Sequence, residues 1–222
     1  MERTIRVTGK GTISVRPDTI QLNISTEGVC KEYEKALEQS AKNTGLLRES
    51  ISNAGLDPKD LKTTDFAVQT EYESYQDRNK NWKKRFLGYK FMHELYIRFD
   101  NDNALLGKVL YQLSKCKADA EFSISYTVRD AEPARNELLA RAVADSKKKA
   151  MILTEAAGVR LGDVENIDYS WGRVDIYTDK MRLPRYQELG VNSIASESFD
   201  IDMEAEDIHL EDTVTVIWRI DR

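Results

Sequence analysis

Histidines, clustered carboxylates and a cation-rich hairpin are the residues here whose types and spacing could do chemistry. The chain holds two histidines, His93 and His209. A metal centre needs several ligands brought to one point, and neither histidine has a second His or Cys at ligand spacing. His93 alternates in period with Phe91 and Leu95, which predicts a satisfied or surface strand histidine rather than a ligand. No Ser/His/Asp set stands at a recognisable local spacing, although such triads assemble in space. Carboxylates are densest at Glu197, Asp200, Asp202, Glu204, Glu206, Asp207, Glu211 and Asp212. That run lacks the central glycine of a calcium loop. It reads as a solvated acidic edge that discourages stray strand pairing. No catalytic residue, metal or cofactor is assigned.

Two clusters remain. Arg78, Lys80, Trp82, Lys83, Lys84 and Arg85 interleave cations with an aromatic at a hairpin tip. The pattern is a modest nucleic-acid signature, but an exposed tip of this kind also suits docking onto an acidic surface of a neighbouring copy. A subunit contact is the preferred reading. Tyr169, Trp171, Tyr177 and Tyr186 could line a ligand pocket beneath a loop at residues 175–196. Arg135, Arg141 and Lys147 to Lys149 read as a solvated helix face, with Glu137 and Arg141 as an i,i+4 pair. Gly9 and Gly11 do not form a phosphate loop, because no Lys-Ser/Thr pair follows them.

These residues need elements to hold them. The chain has 222 residues, 41% of them hydrophobic, enough for a sizeable core in one domain or two packed halves. Its net charge of -5 argues against a general nucleic-acid binder. With a mean hydropathy of -0.56 and no long apolar run, no membrane span is expected. The opening residues enter a strand pattern at once, so the expectation is a cytoplasmic protein, or an envelope protein whose leader has been removed. Cys30 and Cys116 are expected to be two thiols, with a disulfide left open.

The longest element is a helix opening at Asp130. Its predicted stripe is Leu139, Ala142, Val143, Ser146, Ala150, Leu153 and Ala157, and Gly158 stops it. A first helix is predicted at residues 30–54, with the stripe Tyr33, Leu37, Ala41, Thr44, Leu47, Ile51 and Ala54. Alternation predicts strands at 4–15, at 20–24 (as a hairpin with the first), and at 61–75, 86–99, 121–128, 164–174 and 208–220. Asp100, Asn101 and Asp102 cap a short helix carrying Leu106, Val109, Leu110 and Leu113. Ala54-Gly55-Leu56 is echoed by Ala157-Gly158-Val159, Asp60-Leu61 by Asp163-Val164, and Asp65-Phe66 by Asp168-Tyr169. The echo predicts an α+β fold of two strand–helix–strand halves, about 1–99 and 118–222, joined by a helix at 100–117.

The sequence also resembles the SIMPL-domain family. The likeness is carried by Ile5-x-Val7-x-Gly9-x-Gly11, Val15-x-Pro17-Asp18 and Asp60-Leu61-x-Thr63, then by Gly88-Tyr89. It continues through Arg135, Ala142, Lys149-Ala150 and Ala156-Ala157-Gly158-Val159-x-Leu161-Gly162. The resemblance implies an α+β fold, assembly into closed homo-oligomers including ring-like ones, and a link to oxidative stress through some bacterial members. It implies no agreed chemistry. The expected function is therefore a non-enzymatic, self-assembling interaction protein that binds itself and an unidentified protein partner. The alternative is a hydrolase or small-ligand enzyme using the pocket at 175–196.

Overall fold

A computed structural model describes residues 3–169, 176–178, 181–182, 198–199 and 202–221. The chain is α+β, with two long helices, one shorter helix and two sheets. It divides into two compact units that interleave along the sequence.

One unit comprises Thr19–Tyr126 and Asp179–Glu204. Its sheet is built on β2 (Thr19–Cys30), β3 (Lys62–Gln76), β4 (Trp82–Asp100) and β5 (Ala120–Thr127). The strand order is β3-β4-β2-β5, and a two-residue β7 (Met181–Arg182) pairs outside β5. α1 (Tyr33–Asn53) packs on β2 and β4, and α2 (Asn103–Ser114) packs beside α1. Ile20, Leu22, Ile24, Leu47, Ile51 and Ile97 are completely buried in this core. α2 starts where its capping cluster predicts: Asp102 is the N-cap and accepts from the backbone N–H of Ala104 and Leu105.

α1 begins later than expected. β2 continues to Cys30, because Val29 and Cys30 pair with Lys90 and Tyr89 of β4. The buried face of α1 also differs from the predicted stripe. Ala36, Ser40, Asn43, Leu47, Ser50 and Ile51 are inward, whereas Leu37 and Tyr33 are 38% and 50% exposed. Leu47, Ile51 and Ala54 keep their predicted places. Small and polar residues occupy the first half of the interface, so the larger Leu37 is left on the flank.

The other unit comprises Met1–Asp18, Thr127–Thr178 and Ala205–Arg222. Its sheet runs β1-β8-β6, from β1 (Thr4–Val15), β8 (Ile208–Asp221) and β6 (Arg160–Asp168), both pairings antiparallel. α3 (Glu132–Ala156) lies along β1 and β8. The hairpin expected of the first two strands does not form: β1 pairs with β8 and β2 with β4. Pro17 has no N–H to extend a ladder. Beside it, Asp18 N–H donates to the Thr127 carbonyl and the Asp18 carboxylate accepts from Arg129 N–H. The turn is thus tied elsewhere and the chain leaves it for a different sheet.

The buried stripe of α3 is Leu138, Ala142, Ser146, Ala150 and Thr154, a strict i,i+4 row. Leu153 is half-exposed and Ala157 exposed, against expectation. Thr154 can turn inward because its hydroxyl donates to the Ala150 carbonyl at 2.9 Å. This small-residue row lets α3 approach β1 closely. A Cβ on Gly9 would stand 2.0 Å from the Ala142 carbonyl oxygen, and one on Gly11 would stand 2.1 Å from that of Leu138. Asp130 helps start α3, accepting from Glu132 N–H, although Ala131 occupies the cap position. α1 and α3 end alike, on Ala54 and Ala157 followed by Gly55 at φ 95° and Gly158 at φ 69°.

Candidate functional site

An open cleft of about 400 Å³ lies beside α1. Leu37, Ala41 and Phe66 form apolar walls, and Gly45 leaves one side open. Ser40, Thr44 and His93 form a polar floor, and Arg48 stands at the edge. β4 presents His93 toward α1, and β3 supplies Thr63 and Phe66 from the neighbouring strand. Phe66 meets the imidazole edge to face, with ring centres 5.1 Å apart.

Three hydroxyls hold the imidazole. Its Nδ1 lies 3.1 Å from Ser40 Oγ and 3.4 Å from Thr44 Oγ1, and its Nε2 lies 2.9 Å from Thr63 Oγ1. The Thr44 hydroxyl already donates to the Ser40 carbonyl, so toward His93 it accepts. Burial lowers the proton affinity of His93 below its ordinary value of 6.5; Glu94 opposes this and Arg48 adds to it. The ring is therefore neutral at pH 7. The Glu94 carboxylate accepts from Ser25 Oγ at 2.6 Å and is not bonded to the imidazole. Ser40 is only 3% exposed on the inner face of α1. The arrangement thus lacks both an acid that orients the base and a presented nucleophile.

The cleft escaped sequence reasoning because Leu37, Ala41 and Thr44 continue the core stripe of α1 in register. The one sequence signal was Gly45, an unexplained glycine within a helix.

The cationic hairpin is arranged differently from its reading as a single tip. β3 and β4 run on past the end of β2, from Tyr72 opposite Phe86 to Gln76 opposite Trp82. These residues form a two-stranded arm extending roughly 15 Å beyond the third strand. Only residues 77–81 make the turn, with Lys80 at φ 62° and the Asp77 carboxylate accepting from Asn79 and Asn81 N–H. Trp82, Lys83, Lys84 and Arg85 belong to β4, and alternation sends them to opposite faces. Lys83 pairs with Asp77 at 3.0 Å, and Arg85 pairs with Glu73 across the strands. No carboxylate among the described residues pairs with Arg78, Lys80 or Lys84. One face carries Tyr72, Phe86 and Trp82, which are 52%, 45% and 71% exposed. A ladder of edge-to-face contacts runs from Tyr72 through Phe86 and Tyr89 to Tyr33, each step under 6 Å.

The proposed pocket at residues 175–196 lies mostly outside the described residues, and Trp171 and Tyr186 lie outside them too. Tyr169 packs beside the Val7, Val214 and Trp218 cluster and donates to the Asp212 carboxylate at 3.1 Å. Tyr177 forms a β-bridge with Thr127. In the acidic run, Glu197 and Asp200 are outside the described residues. Further along, Asp207 accepts from the Ser14 hydroxyl and Glu211 pairs with Lys10, so part of that edge is engaged within the fold. His209 is exposed on β8. Cys30 and Cys116 are free and half-buried. No group of three or more His, Cys, Asp or Glu side chains converges among the described residues. No described helix is long and apolar enough to cross a membrane.

Comparison with known proteins gives relatives but no chemistry. Residues 5–218 match the SIMPL family, described as a protein of unknown function (DUF541). The 26 kDa periplasmic immunogenic proteins of Brucella melitensis and Brucella abortus are each 28% identical over 163 residues. Those matches cover 73% of this chain and 65% of each relative. The uncharacterized protein YggE of Edwardsiella ictaluri is 22% identical over 217 residues, covering 96% of this chain and 85% of that protein. The Brucella relatives are named as periplasmic, which lends no support to the expected cytoplasmic location. With the family match spanning nearly every described strand and helix, the chain belongs to the SIMPL family.

Proposed function

We propose that this protein works by association rather than by catalysis, assembling with copies of itself through the β3–β4 arm. The observation that carries this reading is the exposure of Tyr72, Phe86 and Trp82 together on one face of a ribbon beyond the third strand. An isolated two-stranded ribbon is marginal in water, and large exposed aromatics favour burial at a contact. The free cations Arg78, Lys80 and Lys84 complement the exposed Asp202, Glu204 and Glu206 of a second copy. Such pairing between unlike patches is head-to-tail, and it closes into a ring where the rotation between copies permits. We further propose an envelope location, in line with the names of the Brucella relatives.

Multi-angle light scattering tests the assembly. Trp82→Ser combined with Phe86→Ser should reduce the particle mass toward that of one chain. Lys83→Glu, Lys84→Glu and Arg85→Glu together should reduce it less, because Lys83 and Arg85 already have partners within the arm. A mass unchanged by both sets removes the arm from the contact.

A further inference from the structure

We propose that the cleft beside α1 is a binding site for a small monocarboxylic acid with an apolar body, its carboxylate on Arg48 and its body between Leu37 and Phe66. The inference is independent of the arm and of assembly. The cleft's volume of about 400 Å³ falls within the range of sites for small organic ligands. Leu37 and Phe66, which line it, are 38% and 43% exposed, so apolar surface there is not spent on the core. Arg48 is exposed on the same helix and forms no ion pair with a carboxylate of the described residues. Its planar fork matches a carboxylate. A single such cation beside apolar walls suits one negative charge better than the two of a phosphate.

Gly45 is the second line of argument. It lies inside a 21-residue helix, where glycine weakens the helix relative to alanine. It is not a close approach and not a left-handed position, since a Cβ there meets nothing within 4 Å. Its missing side chain instead leaves space in the cleft wall. Ser40, Thr44 and Thr63 hold the imidazole below that space in one orientation, so the floor is preformed.

The two histidines make the test direct, because a His209→Gln variant assigns their imidazole proton resonances. Arg48 on α1 and Glu94 on β4 are the charged groups acting on His93. Millimolar hexanoate should shift the His93 resonance saturably and raise its titration midpoint, because an anion on Arg48 cancels part of that positive field. The His209 resonance should stay in place. Uncharged hexanamide, which loses the charge-assisted contact, and inorganic phosphate, which lacks the apolar body, should each act about tenfold more weakly. Arg48→Gln should weaken hexanoate similarly. Gly45→Met should abolish the shift by filling the cleft while leaving the melting temperature no lower than that of the parent. The proposal is overturned if hexanoate leaves His93 unmoved, if hexanamide or phosphate matches it, or if Gly45→Met binds as the parent does.

Discussion

The two long helices meet their sheets in different ways. α3 lies on β1 with a row of small residues, Ala142, Ser146 and Ala150, against two glycines, and backbone touches backbone. α1 meets β2 and β4 through Leu47 and Ile51 in its second half, while its first half turns Leu37, Ala41 and Thr44 toward an open cleft. A contact made by backbones cannot yield to an added atom, whereas a contact made by side chains leaves room to repack. Gly9 and Gly11 are therefore structural necessities, and Gly45 is not. The same chemical change should have opposite signs in the two places.

The largest expected effect breaks the α3 contact. Gly9→Ala or Gly11→Ala should destabilise the protein by about 3 kcal/mol or more in urea unfolding, since the obstructing atoms are helix carbonyls. A loss below about 1 kcal/mol would show that α3 can slide outward at little cost.

Ser146→Ala probes the polar part of the same contact. The Ser146 hydroxyl is fully buried, donates to the Val7 carbonyl at 3.2 Å and accepts from Trp218 Nε1 at 3.4 Å. Leaving those groups without a partner should cost about 1–2 kcal/mol by the same measurement.

Gly45→Ala sharpens the contrast from the other side, and should stabilise the protein by roughly 1 kcal/mol through helix propensity alone. Destabilisation would mean that the cleft wall is tighter than its geometry indicates.

The smallest effect is a pH slope from His93. Its proton affinity is lowered in the folded state, so the unfolded chain binds the proton more strongly. The stability gained by keeping the ring neutral is complete above the unfolded value near 6.5. It declines as pH falls through that value, and levels off below the folded-state midpoint. His93→Gln should flatten this part of the stability curve; an unchanged slope would assign it to other groups.

Much of the architecture was legible locally. Residues 4–15 show clean alternation, and β1 buries Val7, Gly9, Gly11 and Ile13 on one face as that period requires. The cap at Asp102 and the glycine stops at Gly55 and Gly158 depend on one turn of chain, so they are readable without the fold. The errors arose where a local pattern has two uses. Leu37 and Ala41 satisfy the helical stripe whether they face a sheet or a cleft. The run from Trp82 to Arg85 looks like a polar turn, yet cross-strand pairing with residues 73–76 draws it into β4. The imidazole of His93 gains its partners from α1 and β3, residues far away in sequence, so its neutral state had no local signature.

By itself the sequence determined the kinds of element, their order and the family, because helical and strand periods and capping residues act over a few neighbouring positions. Only the tertiary structure decided that β1 belongs with β8 and β2 with β4, and that a cleft opens beside Gly45. An alternating strand states that one face is dry; it does not state whose side chains will dry it, and that choice is made by contacts between residues distant along the chain.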